Sequence, residues 1–74
     1  MSKYITLAEN PELTEHLPGS SRASTQEIAF ALAYVDLRDV SQAYREVYPE
    51  SLTNVRRVLG NALKLRTAVA EMLG

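Results

Sequence analysis

The chain has 74 residues, a formal net charge of −1 and no cysteine. This length fits one small domain and excludes a two-domain enzyme, because a domain takes roughly 100 to 200 residues. The absence of cysteine excludes a disulfide framework and a thiolate zinc site. The N-terminus lacks the apolar segment of a signal peptide, and no apolar run reaches the roughly 20 residues that cross a bilayer. We therefore expect a cytoplasmic protein with no membrane partner.

The charges are divided unevenly between the two halves of the chain. Residues 1–37 carry 2 basic and 5 acidic side chains, whereas residues 38–74 carry 6 basic and 4 acidic ones. Domains that bind nucleic acid are usually strongly basic, so the overall charge counts against such a partner. The second half has a net charge of +2. A polyanion would therefore bind there.

Residues 1–23 show a weak pattern and are predicted to form an N-terminal arm with at most one short helix. The segment Tyr4-Ile5-Thr6-Leu7 alternates like a short strand. Asn10-Pro11 resembles the cap and first-turn proline of a short helix. The segment Pro18-Gly19-Ser20-Ser21 is predicted to link the arm to the main domain, residues 24–74.

Residues 24–74 are predicted to form an all-α bundle of about four helices. Ser24-Thr25-Gln26-Glu27 has the form of a capping box, which begins a first helix that is apolar around most of its circumference. Asp39, with Gln42 three residues later, begins a second helix, which should stop before Pro49. Ser51 is the candidate cap of a third helix.

The third helix, residues 52–65, divides into two faces on a helical wheel. Its polar arc contains Arg, Lys, Asn and Thr but no carboxylate, which is unusual for a solvated face in an acidic chain. The other arc has the pattern of a core-facing stripe and consists of Leu52, Val55, Val58, Leu59, Ala62, Leu63 and Leu65. We expect a break at Gly60, with Asn61 capping a fourth helix, and one continuous helix is the alternative.

Two helices joined by a short turn, the second with an acid-free basic face, are typical of a helix-turn-helix that binds double-stranded DNA. Arg pairs with guanine, Asn with adenine, and Lys with phosphate oxygens. Basic residues also occur on ordinary solvated helices, so the preceding helix and turn decide this interpretation. The predicted DNA-binding residues are Thr53, Asn54, Arg56 and Arg57 in the groove, and Arg45, Lys64 and Arg66 at phosphates.

The sequence does not predict an enzyme. His16 is the sole histidine, and the three glycines are isolated rather than arranged in a phosphate-binding loop. Asp36 and Asp39 form a close carboxylate pair, but Asp39 has a structural role as a helix cap. No catalytic residue, metal site or cofactor is therefore expected.

From Ser24 onward the sequence resembles the N-terminal DNA-binding domain of the small terminase subunits of tailed bacteriophages and prophages. The segment Gln42-Ala43-Tyr44-Arg45-Glu46 matches the family's second helix consecutively. The other similar positions are Gln26, Glu27, Phe30, Tyr34, Asn54-Val55-Arg56 and Lys64-Leu65-Arg66. The chain departs from the family pattern after the second helix, where Val47-Tyr48-Pro49 replaces a glycine.

The resemblance implies a non-enzymatic role in viral genome packaging in the host cytoplasm. Small terminase subunits bind the packaging start site, assemble into homo-oligomeric rings and deliver DNA to the terminase large subunit. The chain would then be the DNA-binding domain alone. One alternative is a helix-turn-helix transcriptional regulator of phage or bacterial origin. Another is a helical protein-interaction module whose 52–65 face docks an acidic partner.

Overall fold

A computed structural model describes residues 3–74, so the first two residues of the predicted arm lie outside the described residues. Within the described part there are six α-helices, a one-turn 3-10 helix at Ser20–Arg22 and no strand. The helices are α1 (Lys3–Ala8), α2 (Pro11–Thr14), α3 (Thr25–Leu37), α4 (Val40–Val47), α5 (Thr53–Leu65) and α6 (Thr67–Leu73). The predicted all-α fold is confirmed.

The capping box predicted at the start of α3 is present. The Glu27 amide donates to Ser24 Oγ at 3.2 Å, and the Ser24 amide donates to Glu27 Oε1 at 3.0 Å. Along α3, Ala29, Phe30 and Ala33 are completely buried. This helix is central to the domain, as its apolar circumference predicts.

The next helix, α4, also begins as predicted, with the Asp39 carboxylate accepting a hydrogen bond from the Gln42 amide at 3.0 Å. It ends at Val47, two residues before Pro49. The prediction that Ser51 caps the third helix is wrong, because α5 starts after Leu52 and Ser51 Oγ donates to the Tyr48 carbonyl at 2.6 Å. Ser51 is therefore part of the turn between α4 and α5.

The predicted break at Gly60 is wrong as well. Helix α5 continues through Gly60, which does not adopt the left-handed conformation that ends many helices. The chain instead leaves helical geometry at Arg66, where φ is −66° and ψ is 136°. The helix that follows, α6, provides the buried Val69.

The N-terminal arm differs from its prediction. The strand-like segment at Tyr4 is the helix α1, and its buried residues, Tyr4 and Ala8, are separated by one helical turn. The short helix predicted after Asn10 is confirmed as α2, with Asn10 Oδ1 accepting from the Glu12 amide at 3.0 Å. The arm thus has two short helices rather than at most one.

The hydrophobic core joins the arm to the rest of the chain. Phe30 of α3 and Val69 of α6 are its largest fully buried side chains, and Tyr4, Ala43 and Val47 also belong to it. Helix α1 therefore packs in the same core as α3, α4 and α6. Within residues 3–74 no helix is both long enough and apolar enough to cross a membrane.

Candidate nucleic-acid interface

The orientation of α5 decides which of its side chains can meet a ligand. Gly60 is the one buried residue of α5, all of which the structure describes. Arg56 and Lys64 lie one turn to either side of Gly60 and are half-buried. The polar arc of the wheel therefore includes the side of α5 that packs against the rest of the domain.

The apolar arc of α5 points outward for most of its length. Val58 is 67% exposed and Leu65 is 84% exposed, and Leu52 and Leu59 are exposed as well. The expectation that this arc faces the core is wrong for most of its residues, although Leu63 does pack against the core. A helical wheel gives the angles between residues but not which side touches the neighbouring helix, and here Gly60 provides the close contact because it has no side chain.

Arg56 folds back onto the turn that precedes α5. Its Nε donates to Ser51 Oγ at 3.0 Å, and its Nη2 donates to the carbonyl oxygens of Ser51 at 2.8 Å and Pro49 at 3.4 Å. The guanidinium thus holds the turn together. This geometry favours a structural role for Arg56 over the predicted place in the groove.

Three cations from two helices line one surface cavity of about 330 Å³ at the start of α4. Arg38 comes from the end of α3, whereas Arg57 and Lys64 come from α5. Lys64 is positioned by Tyr34, because its Nζ donates to the tyrosine hydroxyl at 3.1 Å and lies 4.5 Å from the ring centroid. We refer to Arg38, Arg57 and Lys64 around this cavity as the basic edge.

The basic edge has little opposing negative charge. Asp39 is the one acid among the described residues that line the cavity, and its carboxylate is hydrogen-bonded to the first turn of α4. The backbone amides at that end of α4 add partial positive charge. The cavity is therefore suited to an anion such as a phosphate group.

Sequence reasoning missed Arg38. Its backbone is left-handed, with φ at 57°, and it ends α3 immediately before the Asp39 cap of α4. Its Nε donates to the Val35 carbonyl at 3.1 Å. The sequence does place Arg38 directly before Asp39, the predicted cap of the second helix. That position was the available signal, because it puts the guanidinium near the start of α4.

The remaining predicted residues fall into two groups. Thr53 and Asn54 are exposed in the first turn of α5, and Arg45 is exposed on α4, one turn after the cavity-lining Ser41. Arg66 lies elsewhere, because its Nε is 2.6 Å from Glu27 Oε2 at the start of α3. The structure therefore brings Arg57 and Lys64 together with Arg38, and it pairs the exposed Arg66 with the buried Glu27.

Comparison of the chain with protein-family models, curated proteins and solved structures finds no match. Any functional conclusion depends on the residues themselves. Within the described chain, no group of three or more His, Cys, Asp or Glu side chains is placed to hold a metal ion. The basic edge is the candidate site that its charges define best.

Proposed function

We propose that this domain binds double-stranded DNA through the basic edge and the adjoining exposed side of α5. The observation that carries the proposal is the convergence of Arg38, Arg57 and Lys64 on one cavity at the start of α4. Phosphate contacts from Arg and Lys position a protein on the duplex and supply most of its sequence-independent affinity. Arg45, on the neighbouring face of α4, adds a fourth candidate phosphate contact.

Base recognition would come from the side of α5 next to the basic edge. At about 100° per residue, Thr53, Arg57 and Asn61 follow one another within about 80° on the helix surface. Thr53 and Asn61 are exposed, as is Asn54 beside them. Asn and Arg make bidentate contacts with adenine and guanine in the major groove, which is wide enough for one helix.

The finer role we propose is recognition of the packaging start site by a phage terminase small subunit. Its support is the resemblance carried by Gln42-Ala43-Tyr44-Arg45-Glu46, a segment that lies within α4 of the helix-turn-helix. In that role, full-length copies would form a homo-oligomer and pass DNA to the terminase large subunit. Footprinting on phage DNA tests this role, since protection of a palindromic promoter operator instead would indicate a transcriptional regulator.

A salt titration of binding to a short duplex tests the DNA-binding proposal itself. Neutralising three or four phosphates predicts a slope of roughly −3 when log K is plotted against log salt concentration. Arg57→Gln should weaken binding and make the slope shallower by about 1. No binding at low salt, or a slope near zero, contradicts the proposal.

Arg22→Gln is the matched control, because it removes the same charge at a distant place. Arg22 precedes α3 and forms an ion pair with Glu71, whereas the basic edge lies at the other end of α3. The 13 residues of α3 span about 20 Å. An equal loss of affinity in the Arg22 and Arg57 variants would mean that net charge, and not the basic edge, drives binding.

A further inference from the structure

The three cations of the basic edge keep hydrogen-bond donors that no described residue uses. Lys64 Nζ carries three hydrogens and donates one of them to the Tyr34 hydroxyl at 3.1 Å. Arg38 donates to the Val35 carbonyl through Nε, which leaves the Nη groups of its guanidinium. Arg57 is exposed, and its guanidinium makes no hydrogen bond or ion pair with any described residue. The cavity therefore offers cationic donors to a ligand.

Two hydroxyl groups line the same cavity. Ser41 is half-buried in the first turn of α4, and Tyr34 belongs to α3. The Tyr34 oxygen accepts a hydrogen bond from Lys64, so its own hydrogen is available to a ligand. The Ser41 hydroxyl also has one hydrogen to donate. Arginine, lysine, serine and tyrosine are all side chains with which proteins contact the phosphates of DNA.

The charge of the cavity indicates the charge of the group that fits it. Arg38, Arg57 and Lys64 outweigh the single charge of Asp39, so the lining has a net charge of +2. An internal phosphate of a DNA strand carries one negative charge. A phosphate monoester carries a charge of about −1.5 to −2 near pH 7. The monoester therefore neutralises the lining more completely than an internal phosphate does.

The oxygen atoms of the ligand lead to the same choice. A phosphate monoester has three oxygens that accept hydrogen bonds strongly. An internal phosphate has one fewer, because a second sugar is bonded to it. A guanidinium can bind two phosphate oxygens at once, so two arginines and a lysine in one cavity supply donors for every oxygen of a monoester. A terminal phosphate can also enter a concave site, since a sugar is attached to it on one side alone.

We propose that the basic edge binds the terminal phosphate monoester of a DNA strand, with Arg38, Arg57 and Lys64 around its oxygens. This inference rests on the proposed DNA binding and specifies which part of the duplex the cavity takes. The strand that follows the terminal phosphate lies along the exposed side of α5, next to Thr53 and Asn61. The domain thus binds the end of a cut duplex more tightly than the middle of an intact one.

Hairpin duplexes with one open end test the terminal-phosphate site. Two hairpins of the same sequence are compared, one with a 5′-phosphate and the other with a 5′-hydroxyl. A fluorophore in the hairpin loop, away from the open end, reports binding through its anisotropy. We expect the phosphorylated hairpin to bind about 10-fold more tightly, because the terminal phosphate adds charge-assisted hydrogen bonds that the hydroxyl cannot make.

Arg57→Gln and Arg45→Gln form a matched pair of variants for this experiment. Each removes one exposed cation, but Arg57 lines the cavity and Arg45 does not. Arg57→Gln should reduce the ratio of the two affinities several-fold. Arg45→Gln should weaken the binding of both hairpins and leave that ratio unchanged. Circular dichroism verifies that both variants fold.

The outcomes separate the terminal-phosphate site from DNA binding as such. Equal affinities of the wild type for the two hairpins overturn the terminal-phosphate site and leave DNA binding intact. If neither hairpin binds at low salt, DNA binding fails and the terminal-phosphate site fails with it. An equal fall of the affinity ratio in the Arg45 and Arg57 variants also overturns the site, because the total charge of the protein would then set the preference.

Inorganic phosphate distinguishes a strand end from a free anion as the ligand. In an NMR titration, the amide resonances of Val40 and Ser41 report binding, since both residues line the cavity. We expect inorganic phosphate to shift these resonances with an affinity at least about 100-fold below that of the phosphorylated hairpin, because it lacks the contacts made by the rest of the strand. Equally tight binding of inorganic phosphate would assign the cavity to a free anion and overturn the strand-end assignment. Shifts confined to residues outside the cavity would also overturn it.

Discussion

Gly60 of α5 lies against Val40 of α4 so closely that no side chain fits between the helices. A Cβ atom on Gly60 would be 2.6 Å from Val40 Cγ2 and 3.1 Å from the Val40 carbonyl oxygen. This contact joins α4 to α5. It also fixes the rotation of α5, and with it the side of that helix that reaches solvent.

Gly60→Ala should therefore destabilise the domain. Alanine gains about 1 kcal/mol in helix propensity over glycine, but the stiff Val40 side chain and the α4 backbone leave no room, and overpacking of this kind typically costs 1–3 kcal/mol. We expect a net loss of about 1 kcal/mol in the free energy of unfolding, measured by urea denaturation. Asn61→Ala, one residue along on the exposed side, is the control and should be neutral or slightly stabilising. A more stable Gly60→Ala protein would contradict the close approach.

The same contact shows where sequence reasoning succeeds and where it stops. The caps at Ser24 and Asp39 were predictable, because each depends on side chains within three residues of the helix start. The path of α5 through Gly60 was not, since it depends on Val40, twenty positions earlier in the chain. Likewise Tyr4 is helical because α1 packs on α3, and four alternating residues carry no information about that partner.

Arg38 has an unfavourable left-handed backbone and also belongs to the basic edge. Replacing it with glycine should therefore raise the stability of the domain and lower its affinity for DNA. A left-handed conformation costs a non-glycine residue roughly 1–2 kcal/mol, so Arg38→Gly should stabilise the fold by about 0.5–1 kcal/mol after the flexibility of glycine is subtracted. The same change removes a proposed phosphate contact and should weaken DNA binding. Thermal unfolding and a duplex titration measure the two effects.

Arg38→Ala is the matched variant for this prediction. It removes the guanidinium but keeps a Cβ atom in the left-handed conformation, so DNA binding should fall without a gain in stability. If Arg38→Gly binds DNA as tightly as the wild type does, Arg38 does not belong to the binding surface.

Arg66 should contribute to stability rather than to DNA binding. Glu27 is buried, and its Oε2 atom lies 2.6 Å from Arg66 Nε without a well-aligned hydrogen bond to any described group. Removing the arginine would leave a buried carboxylate without its cation, so Arg66→Ala should cost about 1–2 kcal/mol of unfolding free energy. The affinity of the Arg66→Ala variant for a duplex should fall far less than that of the Arg57→Gln variant. A large loss of affinity in a variant of unchanged stability would instead restore Arg66 to the phosphate contacts that the sequence predicted.

The raised pKa of Tyr4 determines how the stability of the domain should change at alkaline pH. Its hydroxyl donates to the Asp36 carboxylate, and this bond, burial and the negative charges of Asp36 and Glu46 raise its pKa from 10.0 to about 12. Because the folded pKa lies above the unfolded one, the stabilisation is complete below pH 10 and is lost as pH rises toward about 12. Burial also raises the pKa of Tyr48, which acts in the same direction. Urea denaturation between about pH 8 and about pH 11.5 should therefore show that the wild type loses stability as pH rises, and that Tyr4→Phe loses less. Equal losses in the two proteins would mean that Tyr4 ionises in the folded protein as it does in an unfolded chain.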